Sequence, residues 1–153
     1  MITSETFQYQ LQHVLVPLLR RWSRCYRLNI APKDRVTAFV SQPFKPNHFL
    51  EIQIQYSSIY QEPQLTFRIW EIYTVDDVEY QRPCFPTDLS HWLNMQEFTV
   101  RLDYLHPSDR NVWYSVHGCD TAETVGSQLD HYLQRWASVY FTIFDFEFSR
   151  VFV

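Results

Sequence analysis

The chain begins with apolar side chains repeated at helical spacing. This period predicts an amphipathic helix over residues 4–24, with Ser4 as its N-cap. Pro17 lies inside the pattern and has no backbone N–H, so we expect a kink or a late start there. The apolar stripe consists of Phe7, Leu11, Val14, Leu15, Leu18, Leu19 and Trp22.

After this helix the hydrophobic period changes to two, which is typical of half-buried strands. The alternation predicts strands over Val36–Val40, Phe49–Tyr56 and Leu65–Thr74. Because these strands follow one another closely, antiparallel pairing is the simplest arrangement. The link Ser57–Pro63 contains no glycine, which predicts a turn wider than a two-residue hairpin.

The second half of the chain alternates between loops and shorter elements. We predict a polar loop over Asp76–Pro86, a short helix over Thr87–Asn94, strands over Phe98–Leu105 and Val112–Val116, and a closing helix over 127–144. Ser127 and Asp130 resemble a capping box for that last helix. The expected fold class is α+β: an antiparallel sheet of about four strands plus a short additional strand pair, with helices packed against it.

Composition and charge exclude several functions. The 153 residues suit one domain, spanning 1–153, and carry a formal net charge of −4, which disfavours binding to nucleic acid. Two glycines are too few for a phosphate-binding loop or a dinucleotide fingerprint. Three cysteines without C-x-x-C spacing favour reduced thiols in a cytoplasmic protein. The longest uncharged stretch, Thr6–Leu19, is too short to span a membrane, and we expect no cofactor.

The two glycines, Gly118 and Gly126, lie close to Cys119. Asp120 and Glu123 have capping-box spacing, so a short helix is expected to start at Asp120 or Thr121. A cysteine at a helix N-terminus faces free N–H groups and the positive end of the helix dipole, which favour the nucleophilic thiolate. From these local features, a buried structural cysteine is an equally good interpretation; Cys25 and Cys84 fit that interpretation better.

The motif around Cys119 resembles the autophagy-related protein ten family of conjugating enzymes. The family mark is Trp-Tyr/Phe-x-x-His-Pro-Cys, followed by an acidic or amide residue and Thr/Ser, with Tyr-Leu-x-x-Trp further along. Gly118 stands where the family usually has proline, which changes the local rigidity. The matching segments are 113–121, 125–126 and 132–136, together with Ile59–Pro63, Leu65–Glu71 and Pro86–Asp88.

The resemblance implies a ubiquitin-conjugating-enzyme-like fold and a transferase in autophagy. Such an enzyme receives the ubiquitin-like modifier autophagy-related protein twelve as a thioester on Cys119. The donor is the activating enzyme autophagy-related protein seven. The modifier then passes to a lysine of autophagy-related protein five without a separate ligase. The expected enzyme is a monomer that is recruited to the preautophagosomal structure.

Two residues are predicted to support Cys119. His117 lies two positions before it, on the same side of an extended chain, and either stabilises the thiolate or oxyanion or only ends a strand. Tyr60, in the wide turn that matches the family, either supplies a phenol donor or is simply an aromatic on a hairpin. The segment His106–Ser108 (His-Pro-Ser) resembles the His-Pro-Asn turn of ordinary ubiquitin-conjugating enzymes, but we interpret it as an unrelated turn.

Other classes remain open at this point. A cysteine hydrolase would combine Cys119 with His131 or His117 and with Asp103 or Asp130. A non-catalytic binding module would need no thiol and would use sheet edges and aromatic side chains. A metal site of His117, Cys119 and His131 is disfavoured, because no second close pair supplies further ligands.

Overall fold

A computed structural model describes residues 1–22, 24–25, 27–31, 37–103, 111–118, 125–145, 147–148 and 150. Within these residues, helical segments at the two ends of the chain pack with one face of an antiparallel sheet. The helices are α1 (Ser4–Gln10), α2 (Val16–Arg21) and α3 (Tyr132–Tyr140), with short 3-10 turns at Leu89–His91 and Phe141–Ile143. The strands are β1 (Arg27–Ala31), β2 (Thr37–Pro43), β3 (His48–Ser57), β4 (Glu62–Val75), β5 (Val78–Cys84), β6 (Phe98–Asp103) and β7 (Trp113–Gly118).

All described strands join one sheet, in the order β1-β2-β3-β4-β7-β6. Strand β4 is the longest, with 14 residues, and it changes partner along one edge. Its Leu65–Phe67 portion pairs with β7, and its Ile69–Val75 portion pairs with β5. The antiparallel α+β class is therefore confirmed, but the expected number of strands was too low. The strand pair β6–β7 is an extension of the main sheet and not a separate piece.

The core lies between the sheet and the helices. Alternate residues of β3 and β4 (Leu50, Ile52, Ile54, Leu65, Phe67 and Ile69) are at most 1% exposed and face the apolar sides of the helices. Gln10 adds a polar link inside this layer: its amide nitrogen donates to the Leu129 carbonyl at 2.6 Å, and its amide oxygen accepts from Leu133 N–H at 2.8 Å. The link fixes α1 against the start of α3, and it satisfies a helix-end N–H group.

The first helix accommodates Pro17 by widening. Residues Leu11–Leu15 form a π-helical segment between α1 and α2, and Val16 N–H bonds to the Leu11 carbonyl. A wider turn at this point lets the chain pass the proline without a break. The N-cap is Thr3, whose side chain accepts from Thr6 N–H, and not Ser4. The structure thus has a π-helical segment before Pro17 where a kink or a late start was expected, and the expected cap was one residue late.

The predicted loop over Asp76–Pro86 was wrong. Asp76 and Asp77 have φ of 52° and 64°, and they close a two-residue turn between β4 and β5. Aspartate tolerates this left-handed region, so the tight hairpin forms without glycine. The prolines, which suggested a loop, are tolerated because β5 lies off the main path of the sheet and pairs with β4 on one side.

Other boundaries differ from expectation. The closing helix begins at Tyr132 after His131 in the left-handed region, so Ser127 and Asp130 do not cap it. The helix predicted over Thr87–Asn94 is only a 3-10 turn with Asp88 as its cap. The hydrophobic pattern of the sequence did not predict β1. Val36, the short helix expected after Cys119 and the His106–Ser108 turn lie outside the described residues.

Candidate active site

Strand β7 leads directly to the candidate nucleophile. It ends at Gly118, and Cys119 itself lies outside the described residues. His117 is exposed and stands opposite Thr99 of β6, whereas the preceding Val116 is buried. Since successive strand residues point to opposite faces, His117 projects from the face that the helices do not cover. The histidine therefore occupies an accessible position two residues before the cysteine.

Gly118 is held in place from the helix layer. Its backbone N–H donates to the Tyr140 hydroxyl at 3.2 Å. Tyr140 is 6% exposed and stacks on Trp136, with ring centroids 4.9 Å apart. The tyrosine is thus a rigid contact for the residue just before Cys119. The sequence pattern predicts only that Tyr140 lies on the apolar face of the helix.

Tyr60 lies in the turn between β3 and β4. Its backbone N–H donates to the Ser57 hydroxyl at 3.2 Å, while its ring is 65% exposed. The neighbouring Gln61 has a φ of 51°, and its carbonyl accepts from Ile2 N–H at 2.8 Å. The N-terminus therefore fixes the backbone of this wide turn and leaves the phenol ring accessible to solvent.

Both predicted supporting residues line one cavity. It has a volume of about 420 Å³ and lies at the end of β7, where the chain continues to Cys119. The cavity combines Tyr60, His117 and Gly118 with side chains from β4, β6 and α3. The remaining lining residues are Glu62, Pro63, Gln64, Leu65, Thr66, Thr99, Arg101, Ser115, Val116 and Tyr140.

The loop before α3 is clamped by Arg135. Its guanidinium donates to the Val125 carbonyl at 2.8 Å and also to the carbonyls of Gln128 and Asp130. These three bonds use the planar fork of the side chain, which lysine lacks. Arg135 belongs to the Tyr-Leu-x-x-Trp segment of the motif but was given no role from the sequence. The structure shows that it organises the chain between the active-site segment and the helix.

Burial distinguishes the two described cysteines from an activated thiol. Desolvation raises the pKa of Cys25 and that of Cys84 above the usual value for a thiol. A raised pKa leaves less thiolate at neutral pH, and the thiolate is the nucleophile. Near the cavity, burial and then the charge of Glu62 raise the pKa of Tyr132. This tyrosine therefore stays protonated around pH 7.

The described residues of the alternative hydrolase are not all gathered at the cavity of His117. Asp103 stands opposite Trp113, whereas His117 stands opposite Thr99. Four residues of extended strand separate Asp103 from Thr99, which is about 13 Å along the sheet. Neither Asp130 nor His131 lines the cavity beside His117. Among the described residues, neither predicted carboxylate therefore lies beside His117 in this cavity.

Comparisons with known proteins agree with this geometry. Residues 29–150 match the family model described as autophagocytosis associated protein, active-site domain. The ubiquitin-like-conjugating enzyme ATG10 of Kluyveromyces marxianus is 33% identical over 150 residues, covering 97% of this chain and 99% of that protein. The solved structure titled "Solution structures of KmAtg10" superposes with a TM-score of 0.82 at 31% identity, covering 97% and 98% of the two chains. "Crystal structure of Autophagic E2, Atg10" gives a TM-score of 0.72 at 28% identity, covering 95% and 98%.

The sheet, the helices on one face and the cavity at the end of β7 define an E2-like conjugating enzyme, a ubiquitin-like protein transferase. The match over most of its length identifies its family: the chain belongs to the autophagocytosis associated proteins that carry this active-site domain. Its role lies in the ubiquitin-like conjugation of autophagy. No helix among the described residues has the length and apolar character needed to cross a membrane.

Proposed function

We propose that Cys119 carries the modifier as a thioester and that the chain transfers it to a lysine of the target. The partners of this proposal are the activating enzyme autophagy-related protein seven, the modifier autophagy-related protein twelve and the target autophagy-related protein five. We also infer a cytoplasmic location. One observation carries the proposal: the strand that precedes Cys119 ends in a cavity lined by His117, Gly118 and Tyr60.

The first step is an exchange of thioesters. The Cys119 thiolate attacks the carbonyl carbon that joins the modifier to the cysteine of the activating enzyme. A new carbon–sulfur bond forms, and the activating enzyme leaves as its thiolate. No oxidation or reduction takes place, so the step needs an accessible thiol with thiolate character and little else.

The second step forms the isopeptide bond. The neutral amine of the target lysine attacks the same carbonyl carbon and creates a tetrahedral oxyanion. When this intermediate collapses, the carbon–nitrogen bond remains, Cys119 leaves as thiolate, and the amine proton passes to solvent or a nearby base. Donors close to the developing oxyanion accelerate the reaction.

The cavity contains groups of the required kind. The phenol of Tyr60 is a donor, and the imidazole of His117 is a donor at one nitrogen. Both face the space at the end of β7, and Glu62 adds a negative charge there that suits an incoming ammonium group. We propose that Tyr60 and His117 support the tetrahedral intermediate, with Cys119 as the nucleophile.

The test is a reconstituted reaction with activating enzyme, modifier and ATP. The wild-type chain should form an adduct with the modifier that a thiol reductant cleaves. Cys119→Ser should form an adduct that the reductant does not cleave, because an oxyester replaces the thioester. Cys119→Ala should form none, while Cys25→Ser serves as the matched control and should load like the wild type. A cleavable adduct on Cys119→Ala would refute the proposal, and release of free modifier without accumulation would indicate a hydrolase.

A further inference from the structure

Three side chains with metal-binding atoms meet on the helix-side face of the sheet, away from the proposed active site. A ring nitrogen of His48, a carboxylate oxygen of Glu71 and the sulfur of Cys84 all lie within 4.8 Å of one another. All three residues are half-buried, so an ion can reach them from solvent. None of them lines the cavity at the end of β7.

Strand register brings these residues to the same face. His48 of β3 stands directly opposite Glu71 of β4. Cys84 of β5 stands opposite Ile69, two residues from Glu71 and therefore on the same side of β4. A direct pair and a diagonal pair are both close enough for side chains to meet. The three ligands thus come from three adjacent strands of fixed register.

A backbone carbonyl holds one ring nitrogen of His48. Its Nδ1 lies 2.8 Å from the Pro46 carbonyl, an acceptor, so Nδ1 carries the proton and Nε2 the lone pair. A ligating histidine usually donates its other ring N–H to a carbonyl or carboxylate in this way. Trp92 packs edge-on against the imidazole, with ring centroids 4.9 Å apart, and limits the rotation of that ring.

The carboxylate of Glu71 is oriented too. Arg82 donates to both of its oxygens, at 3.1 and 3.2 Å. Each oxygen has two acceptor sites, so one oxygen can bind a cation while it keeps its bond to arginine. The guanidinium then acts as an outer partner that holds the ligand in place. It also offsets part of the negative charge that a thiolate and a carboxylate bring together.

We propose that His48, Glu71 and Cys84 form a binding site for a zinc ion. A set of one nitrogen, one sulfur and one oxygen suits this borderline-soft metal, and a water completes four-coordination. In a tetrahedral zinc site the ligand atoms are about 3.5 Å apart, so the three ligand atoms need to approach one another by roughly 1 Å. On binding, the Cys84 thiol loses its proton to solvent, and a sulfur–zinc bond replaces the sulfur–hydrogen bond. The ion would tie the β4–β5 hairpin to β3.

The test measures metal binding to the full chain in a Cys119→Ala background, which removes the candidate active-site thiol and keeps the result independent of the proposed function. We expect one equivalent of zinc in calorimetry. Cobalt(II), used as a probe, should give a sulfur-to-metal charge-transfer band. Cys84→Ser should abolish the band and weaken binding at least about tenfold, and His48→Gln and Glu71→Gln should each weaken it by a similar factor.

Cys25→Ser is the matched control and should bind as the background does, since Cys25 lies outside the cluster. Thermal unfolding without metal shows that each variant is folded. Saturating zinc should then raise the melting temperature of the background and not that of Cys84→Ser. Absence of stoichiometric binding by the background overturns the proposal. Unchanged binding by Cys84→Ser, His48→Gln or Glu71→Gln overturns it as well.

Discussion

Tyr60 presents an exposed phenol ring from a backbone that is fixed on both sides. Ser57 binds its N–H, and Ile2 binds the carbonyl of the next residue. A change at the hydroxyl should therefore leave the turn intact. The hydroxyl can be tested separately from the ring and from the fold.

We expect Tyr60→Phe to slow transfer of the modifier from the loaded enzyme to lysine by at least about tenfold, because a donor to the oxyanion is lost. Thioester formation and the free energy of unfolding should be unchanged, since the ring is 65% exposed. Single-turnover discharge to free lysine measures the effect. Tyr9→Phe is the control, as its ring is 64% exposed and lies on α1. Equal discharge rates for the two variants would contradict a role for Tyr60.

The thiols differ in their expected reactivity. Burial raises the pKa of Cys25, so its thiolate fraction at pH 7 is lower than that of a free cysteine. Its rate of alkylation by iodoacetamide should be low at pH 7 and should rise with pH until the raised pKa is passed. Cys119 should react faster at pH 7. Peptide mass spectrometry after timed labelling measures both rates, and equal rates at pH 7 would contradict the assignment.

Among the elements, α3 contacts the end of β7, directly before the candidate nucleophile Cys119. Tyr140 accepts a hydrogen bond from Gly118 N–H, and Arg135 of the same helix clamps the carbonyls of the loop before it. The helix therefore holds the chain on both sides of the segment that contains Cys119.

Tyr140→Phe should cost about 1 kcal/mol in the free energy of unfolding, because a partly buried hydrogen bond is lost. Modifier loading should slow several-fold, since the backbone before Cys119 loses one of the contacts that fix it. Ser138→Ala, in the same helix, loses only a local bond to the Arg135 carbonyl at 2.7 Å and is the control. Denaturant unfolding and loading rates measure the two effects. If Tyr140→Phe loads as fast as this control, the bond to Gly118 has no part in the reaction.

In the described structure as a whole, one sheet contains both the β4–β5 hairpin and β7, the strand before Cys119. The N-terminal helices pack against this sheet. Strand β4 makes this connection because it pairs with β3 along one edge and with β7 and then β5 along the other. The apolar faces of the helices cover the centre of this sheet. A loss of packing at the centre should therefore destabilise the entire described structure.

Ile52→Ala should lower the free energy of unfolding by about 2–5 kcal/mol, because a side chain with 0% exposure in the central strand β3 is replaced by a cavity. Val78→Ala, at a position that is 50% exposed on β5, should change it by less than about 0.5 kcal/mol. Urea unfolding followed by tryptophan fluorescence compares the two. A similar loss for both variants would contradict the central position of β3 in the core.

Features that depend on local periodicity and on the motif could be predicted from the amino-acid sequence alone. The amphipathic stripe predicted the first helix, the alternation predicted β3 and β4, and the residues around Cys119 indicated the family. The sequence did not reveal β5, because the prolines suggested a loop and the two aspartates of the turn lack the usual glycine. It also gave no roles to Tyr140 and Arg135, since their partners are backbone groups that only the folded chain brings near.

Which distant residues meet depends on the folded chain. Tyr60 and His117 are 57 positions apart in the chain and line one cavity because β4 connects the turn to β7. His48, Glu71 and Cys84 come together because register, and not proximity in sequence, sets which side chains share a face. Local sequence encodes the hydrophobic period of each element. Strand pairing depends instead on long-range contacts and on burial across the whole sheet. The sequence therefore predicts Cys119, His117 and Tyr60 as candidate site residues, but it does not predict the contacts that Tyr140 and Arg135 make beside them.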